Sequence, residues 1–144
     1  MTPSHGMSVE YFTIKFIEKT DMKNILKLEE LAEFILGILI FSRLDFAWWY
    51  FPALLLLPDL GMLGYLINPK IGAWMYNFVH HKALGIAILV FGFYEQNQGI
   101  LLLGTILFAH SAFDRMMGYG LKYEDSFENT HLGRIGKTAI SSEL

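Results

Sequence analysis

The chain has 144 residues, of which 53% are hydrophobic, 15% aromatic and 17% charged, with a mean hydropathy of +0.38. A soluble domain usually carries about a quarter charged residues, so this composition points to one compact membrane domain. The net charge of -3, with no basic stripe interleaved with aromatics, gives no sign of a nucleic-acid partner, and the lack of cysteine excludes disulfides and thiolate metal sites.

In chain order, residues 1–21 mix Lys15, Glu18, Lys19 and Asp21 with Phe12, Ile14, Phe16 and Ile17. They read as an N-terminal extension or a small interfacial segment ahead of the domain proper, with Met22 as a natural start. No cleavable signal peptide is visible, because the first apolar run follows this long charged opening. A spanning helix needs about 20 mostly apolar residues. The first candidate covers residues 28–44 and carries Glu29, Glu30 and Glu33 in its first turns. The second covers residues 45–66 and opens with Trp48, Trp49 and Tyr50, an aromatic cluster suited to a membrane interface. Pro58 should loosen this helix, because it cannot donate to Leu54. Asn68-Pro69-Lys70 is a turn. The third helix covers residues 71–94 and is broken by residues 95–99. The fourth covers residues 100–117 and stops at Gly118 and Gly120. Gly61, Gly64, Gly72 and Gly85 read as sites of close helix packing. The expected fold is therefore all-α: a polytopic membrane protein with four transmembrane helices in a compact bundle over residues 22–118. A tail, residues 119–144, packs under it.

Lys and Arg set the orientation. With the N-terminus in the cytoplasm, that side holds Lys15, Lys19, Lys23, Lys27, Lys70, Arg115, Lys122, Arg134 and Lys137, against Arg43 alone on the other. Both termini are then cytoplasmic.

This topology aligns polar residues in depth. At about 1.5 Å per residue, Asp59 lies roughly 10 Å above the cytoplasmic end of helix two, and Asn77 and His80 roughly 9 and 14 Å into helix three. His110 and Asp114 lie roughly 12 and 6 Å from the end of helix four. An ionisable group inside a membrane marks a functional site by default. His110 and Asp114 are four apart and share a helix face, and Asn77 and His80, three apart, share a face of helix three by the same rule. Adjacent His81 points about 100° away on an ideal helix and reads as a packing residue. In the tail, Thr130-His131-Leu132-Gly133-Arg134-Ile135-Gly136-Lys137 combines flexible residues with an imidazole and two cations, a natural cover for an anion.

Several blocks resemble a small bacterial membrane family catalogued as domain of unknown function 4260. Pro58-Asp59-Leu60-Gly61-Met62-Leu63-Gly64-Tyr65 is similar to its "PDLSMLGYL" signature, with Gly61 where the family has Ser. The likeness continues through Tyr76-Asn77-Phe78-Val79-His80, Ala109-His110-Ser111-Ala112-Phe113-Asp114-Arg115 and Gly118-Tyr119-Gly120-Leu121-Lys122-Tyr123. It closes on Thr130-His131-Leu132-Gly133-Arg134-Ile135-Gly136. His81 stands where Thr is common in the family, which separates it from any shared site. The resemblance implies a bacterial inner-membrane location and no assigned activity.

The reading of the residues is a divalent metal (Zn²⁺, Mn²⁺ or Fe²⁺) held by Asp59, His80, His110 and Asp114. Asp59, His110 and Asp114 would do the chemistry of a hydrolase or transferase on a lipid or other anionic substrate. Asn77, His131 and Arg134 would contact that substrate. A haem or quinone between His80 and His110 is the alternative, and a proton-coupled transporter or assembly factor, necessarily a homo-oligomer for transport, is a third. Reporter fusions test the topology: those after Asn97 should read as external and those after Leu144 as internal, and the opposite pattern reverses the orientation.

Overall fold

The computed structural model describes residues 6–136; the tail positions from Lys137 onward and the first five residues of the expected extension lie outside the described residues. The order is α1 (Gly6–Phe41), α2 (Tyr50–Leu55), a 3-10 helix (Leu57–Leu66), α3 (Pro69–Val79), α4 (Lys82–Tyr94) and α5 (Gln98–Met117). A short antiparallel hairpin of β1 (Asn129–Thr130) and β2 (Gly133–Arg134) follows. The all-α expectation holds.

The centre of the fold is α5, whose residues Gly104 to Ala112 are all buried. Asn97 starts this helix by accepting hydrogen bonds from the Gly99 and Ile100 amides at 2.9 and 3.1 Å. Gly118 ends it with φ +94°, a conformation that needs no Cβ. Flanking α5 are α1 and α4. Both approach it at backbone distance. A Cβ on Gly37 would lie 2.7 Å from Ala109 Cβ, and one on Gly104 only 2.6 Å from the Leu89 amide nitrogen. Phe41, Phe51, Ile106 and Ala109 form the apolar core around this contact.

Three expected helices are corrected. The first does not begin at residue 28: α1 is one uninterrupted helix of 36 residues from Gly6, whose residues 9–28 are exposed. Its acidic turns are accommodated by a distant cation, since Lys82 Nζ lies 2.7 and 2.6 Å from the two Glu30 carboxylate oxygens and 2.7 Å from Glu33. The second expected helix is divided at Leu56. Pro58 has no N–H to offer, and the Asp59 amide donates to Leu56 O at 3.2 Å, three residues back, so the chain continues as a 3-10 helix. The third is divided at His80 and His81, where His81 is extended (φ -86°, ψ 111°). Arg115 holds that break open by donating to the His80 carbonyl at 3.2 Å.

Among the described residues, one helix, α5, is long and apolar enough to cross a bilayer; Tyr50–Leu66 and Lys82–Tyr94 are apolar but shorter. Trp48, Leu66, Ile67, Trp74, Phe78, Phe93 and Tyr94 are all exposed.

The tail is fastened to α3 at two places: Glu124 accepts from Trp74 Nε1 at 3.0 Å and lies 3.8 Å from Lys70 Nζ, and Asn77 clamps the backbone of Lys122. Asn77 Nδ2 donates to Lys122 O at 2.8 Å, and the Lys122 amide donates to Asn77 Oδ1 at 2.7 Å. Replacing Gly104 by Ala should force α4 away from α5. Overpacking of this kind costs about 1–3 kcal/mol, read as a lowered midpoint of thermal unfolding in detergent. An unchanged midpoint would mean that the helices do not touch there.

Candidate metal centre

Four side chains from three separate elements converge beside the C-terminal half of α5. Asp59 comes from the 3-10 helix, His80 from the end of α3, and His110 and Asp114 from successive turns of α5. One ligand atom from each lies within 4.8 Å of all the others. The imidazoles are sealed in, with side chains 2% and 1% exposed, while Asp114 is 13% and Asp59 32% exposed. The cluster is therefore open to the outside chiefly at Asp59.

Backbone carbonyls fix both rings. His80 Nδ1 is 2.8 Å from Tyr76 O, and His110 Nδ1 is 2.6 Å from Leu55 O. A carbonyl only accepts, so each Nδ1 carries the proton and each Nε2 offers a lone pair. Leu55 O is available for a definite reason. In the 3-10 pattern its donor would be residue 58, which is proline, and the Asp59 amide goes to Leu56 instead. The freed carbonyl that Pro58 creates is therefore spent on orienting His110.

The two Nε2 atoms face one another at 2.8 Å. His80 Nε2 is 3.5 Å from Asp59 Oδ1 and 3.3 Å from Asp114 Oδ2. His110 Nε2 is 3.4 Å from Asp59 Oδ1 and 3.6 Å from Asp114 Oδ1. Two bare lone pairs at this separation repel, and two carboxylates around them add negative charge. The arrangement calls for a positive charge at its centre, either a proton shared between the rings or a metal ion.

The surroundings orient the ligands further. Tyr76 donates its hydroxyl to Asp114 Oδ2 at 2.7 Å and stacks on the His80 ring at 3.6 Å. Lys122 is buried, with its ammonium 4.6 Å from the Tyr76 ring and 3.8 Å from the Phe127 ring, and it donates to Phe127 O at 3.1 Å. Burial pushes the Lys122 ammonium below the usual lysine range, and the carboxylates of Asp114 and Asp59 oppose that shift. Neither residue is singled out for a role by the sequence reading. Tyr76 stands four residues before His80, a spacing that places it on the same helix face and would have found it. Lys122 comes from the tail, and only the folded chain brings it here.

The other expected site residues lie elsewhere. Asn77 spends both ends of its amide on Lys122. His131 is exposed, and its Nδ1 accepts from the Leu121 amide at 2.8 Å. Arg134 is exposed on β2. His81 caps the start of α4, away from the cluster, as its spacing from His80 anticipates. The haem alternative draws no support from this geometry: two metal–nitrogen bonds in line need about 4 Å between the nitrogens, whereas the two Nε2 atoms are 2.8 Å apart.

The family model described as "Domain of unknown function (DUF4260)" matches residues 23–135. No curated protein and no solved structure matches the chain.

A double-mutant cycle tests whether the four residues act as a unit. Asp59→Asn and His110→Gln should each lower stability, and the pair should cost less than the sum, with a coupling of about 0.5–3 kcal/mol. Additive losses would show that the residues are independent packing contacts.

Proposed function

The chain belongs to the family of unknown function 4260, and we propose that it is an integral membrane protein that binds one divalent metal ion through Asp59, His80, His110 and Asp114. The observation that carries this reading is the pair of Nδ1–H···O=C bonds, which turn both Nε2 lone pairs toward the same two carboxylates. Ligating histidines are characteristically oriented through their other ring nitrogen in this way. Ligands about 2.0–2.1 Å from a tetrahedral ion stand about 3.3–3.4 Å apart. The imidazole–carboxylate separations, 3.3 to 3.6 Å, lie near that spacing, with Asp59 presenting one oxygen to both rings and Asp114 a different oxygen to each. The Nε2–Nε2 distance of 2.8 Å is shorter and suits a shared proton, so loading requires any such proton to leave and the two nitrogens to separate by a few tenths of an ångström. Nitrogen and oxygen donors without sulfur suit Zn²⁺, Mn²⁺ or Fe²⁺.

The reaction we propose is hydrolysis or group transfer on a lipid or phosphate-bearing substrate approaching from the cytoplasmic side. A divalent ion supplies Lewis-acid activation for either. Asp59, the most exposed of the four, is the ligand nearest an incoming substrate, whereas Asp114 is held by Tyr76. The membrane reading is supported by α5 and by the apolar side chains that the 3-10 helix, α3 and α4 leave exposed. The excess of Lys and Arg at the N-terminus, at Lys70 and in the tail supports cytoplasmic termini and an inner-membrane location.

Elemental analysis after purification in mild detergent is the test. The wild-type chain should retain near-stoichiometric zinc, manganese or iron, and His110→Ala should lose it together with any phosphate-ester hydrolysis. A metal-free wild type that takes up none of these ions on reconstitution, with activity intact in His110→Ala, would contradict the reading.

A further inference from the structure

A second feature lies on the other side of Arg115. A cavity of about 520 Å³ is bounded by α1, the last turn of α5 and the tail, and its polar lining is Lys23, Lys27, Glu30, Arg115 and His131. Glu30 is the sole acid among these, and both of its oxygens are bonded by Lys82 at 2.7 and 2.6 Å. Lys23 and Lys27 are one turn apart on a single face of α1 and have no ion pair among the described residues.

Arg115 is held in place without a carboxylate partner among the described residues. Its guanidinium donates to Ser111 O at 3.1 Å and to His80 O at 3.2 Å. A guanidinium has about five N–H donors, so most of its bonding capacity and all of its charge remain. His131 accepts the Leu121 amide at Nδ1, which leaves its Nε2 as a proton donor. Leu26 and Leu132 supply apolar wall beside these cations. The cavity is thus a convergence of three cations and an imidazole donor with its one acid already neutralised.

We infer that this cavity is an anion site that takes the phosphate group of a phosphate ester, gripped by Lys23, Lys27, Arg115 and His131. A planar guanidinium fork with point-charge ammonium groups beside it is the donor set that phosphate oxygens accept from. The volume falls within the range of small-molecule sites, about 300–1,000 Å³, and exceeds what a bare phosphate needs. Arg115, which lines the cavity, follows Asp114 in the chain and bonds the carbonyl of His80, so one residue connects the anion site to the metal cluster. The phosphate belongs to a membrane lipid headgroup or to a soluble ester; both present the same oxygens. As an anion site the inference stands on its own residues, whereas its place in catalysis rests on the metal reading.

The full chain in nonionic detergent, titrated with inorganic phosphate and with dihexanoyl phosphatidic acid, provides the test. Both probes should bind saturably. Lys23→Ala with Lys27→Ala should weaken both by about tenfold or more, the scale of one lost charge-assisted contact. The metal content of that variant should equal wild type, because neither lysine touches the cluster. Lys23→Arg with Lys27→Arg should restore binding, which separates loss of charge from loss of fold. Phosphatidic acid binding more than about tenfold tighter than phosphate assigns the site to lipid, and equal affinities assign it to a soluble ester. Absence of saturable binding to the wild type, or full binding in the doubly truncated variant, overturns the inference. Binding that depends on the lysines in a chain that takes up no metal would leave the anion site standing and remove the proposed reaction.

Discussion

Two backbone carbonyls govern this molecule, Leu55 O and Tyr76 O, because each takes the Nδ1 proton of a buried histidine. Leu55 O is free because Pro58 interrupts the helix and the chain tightens into a 3-10 helix, a form uncommon beyond a few residues. The same 3-10 helix delivers Asp59 to the cluster. Tyr76 O, in the last turn of α3, accepts both the His80 amide at 3.0 Å and the His80 ring, and Arg115 donates to the His80 carbonyl just beyond. The price of two broken helices is thus repaid as a set of four ligand atoms aimed at one point.

The cluster, the tail and the cavity are connected through Tyr76, Lys122 and Arg115, which makes them one assembly. Tyr76 stacks on His80, bonds Asp114 and faces the Lys122 ammonium. Lys122 is carried by the tail, and Asn77, one residue after Tyr76, clamps its backbone. Arg115 joins the cluster to the basic cavity through the His80 carbonyl. A buried ammonium facing two aromatic rings near two carboxylates balances part of the charge that remains when no cation is present. The tail therefore belongs to the site electrically as well as sterically.

Much of the site was legible in the chain, and the helices around it less so. The four-residue spacing of His110 and Asp114 and the interruption at Pro58 are local signals, and both locate what the fold uses. Depth along straight helices points to Asp59 and His80 even though both helices are broken, because both residues still end up level with His110 and Asp114. The break at His80 and His81 carries no Pro or Gly, and the contact that satisfies its open carbonyl comes from Arg115, 35 residues away, so no local window shows it. Glu30 and Glu33 look like a weakness of the first apolar run until Lys82, about fifty residues on, neutralises them. Lys122 likewise gains its meaning only from Tyr76 and Phe127. Long-range pairing of charge is what a periodicity reading lacks.

The account depends most on the tautomer of two rings, and that is measurable directly. Nitrogen-15 resonances of His80 and His110, in histidine-labelled protein in detergent, should show Nδ1 protonated in both rings throughout a zinc titration. Both Nε2 resonances should move together to metal-bound positions and stop at one equivalent. Rings protonated at Nε2 instead, or Nε2 resonances indifferent to zinc, would contradict the assignment of this cluster as a metal centre.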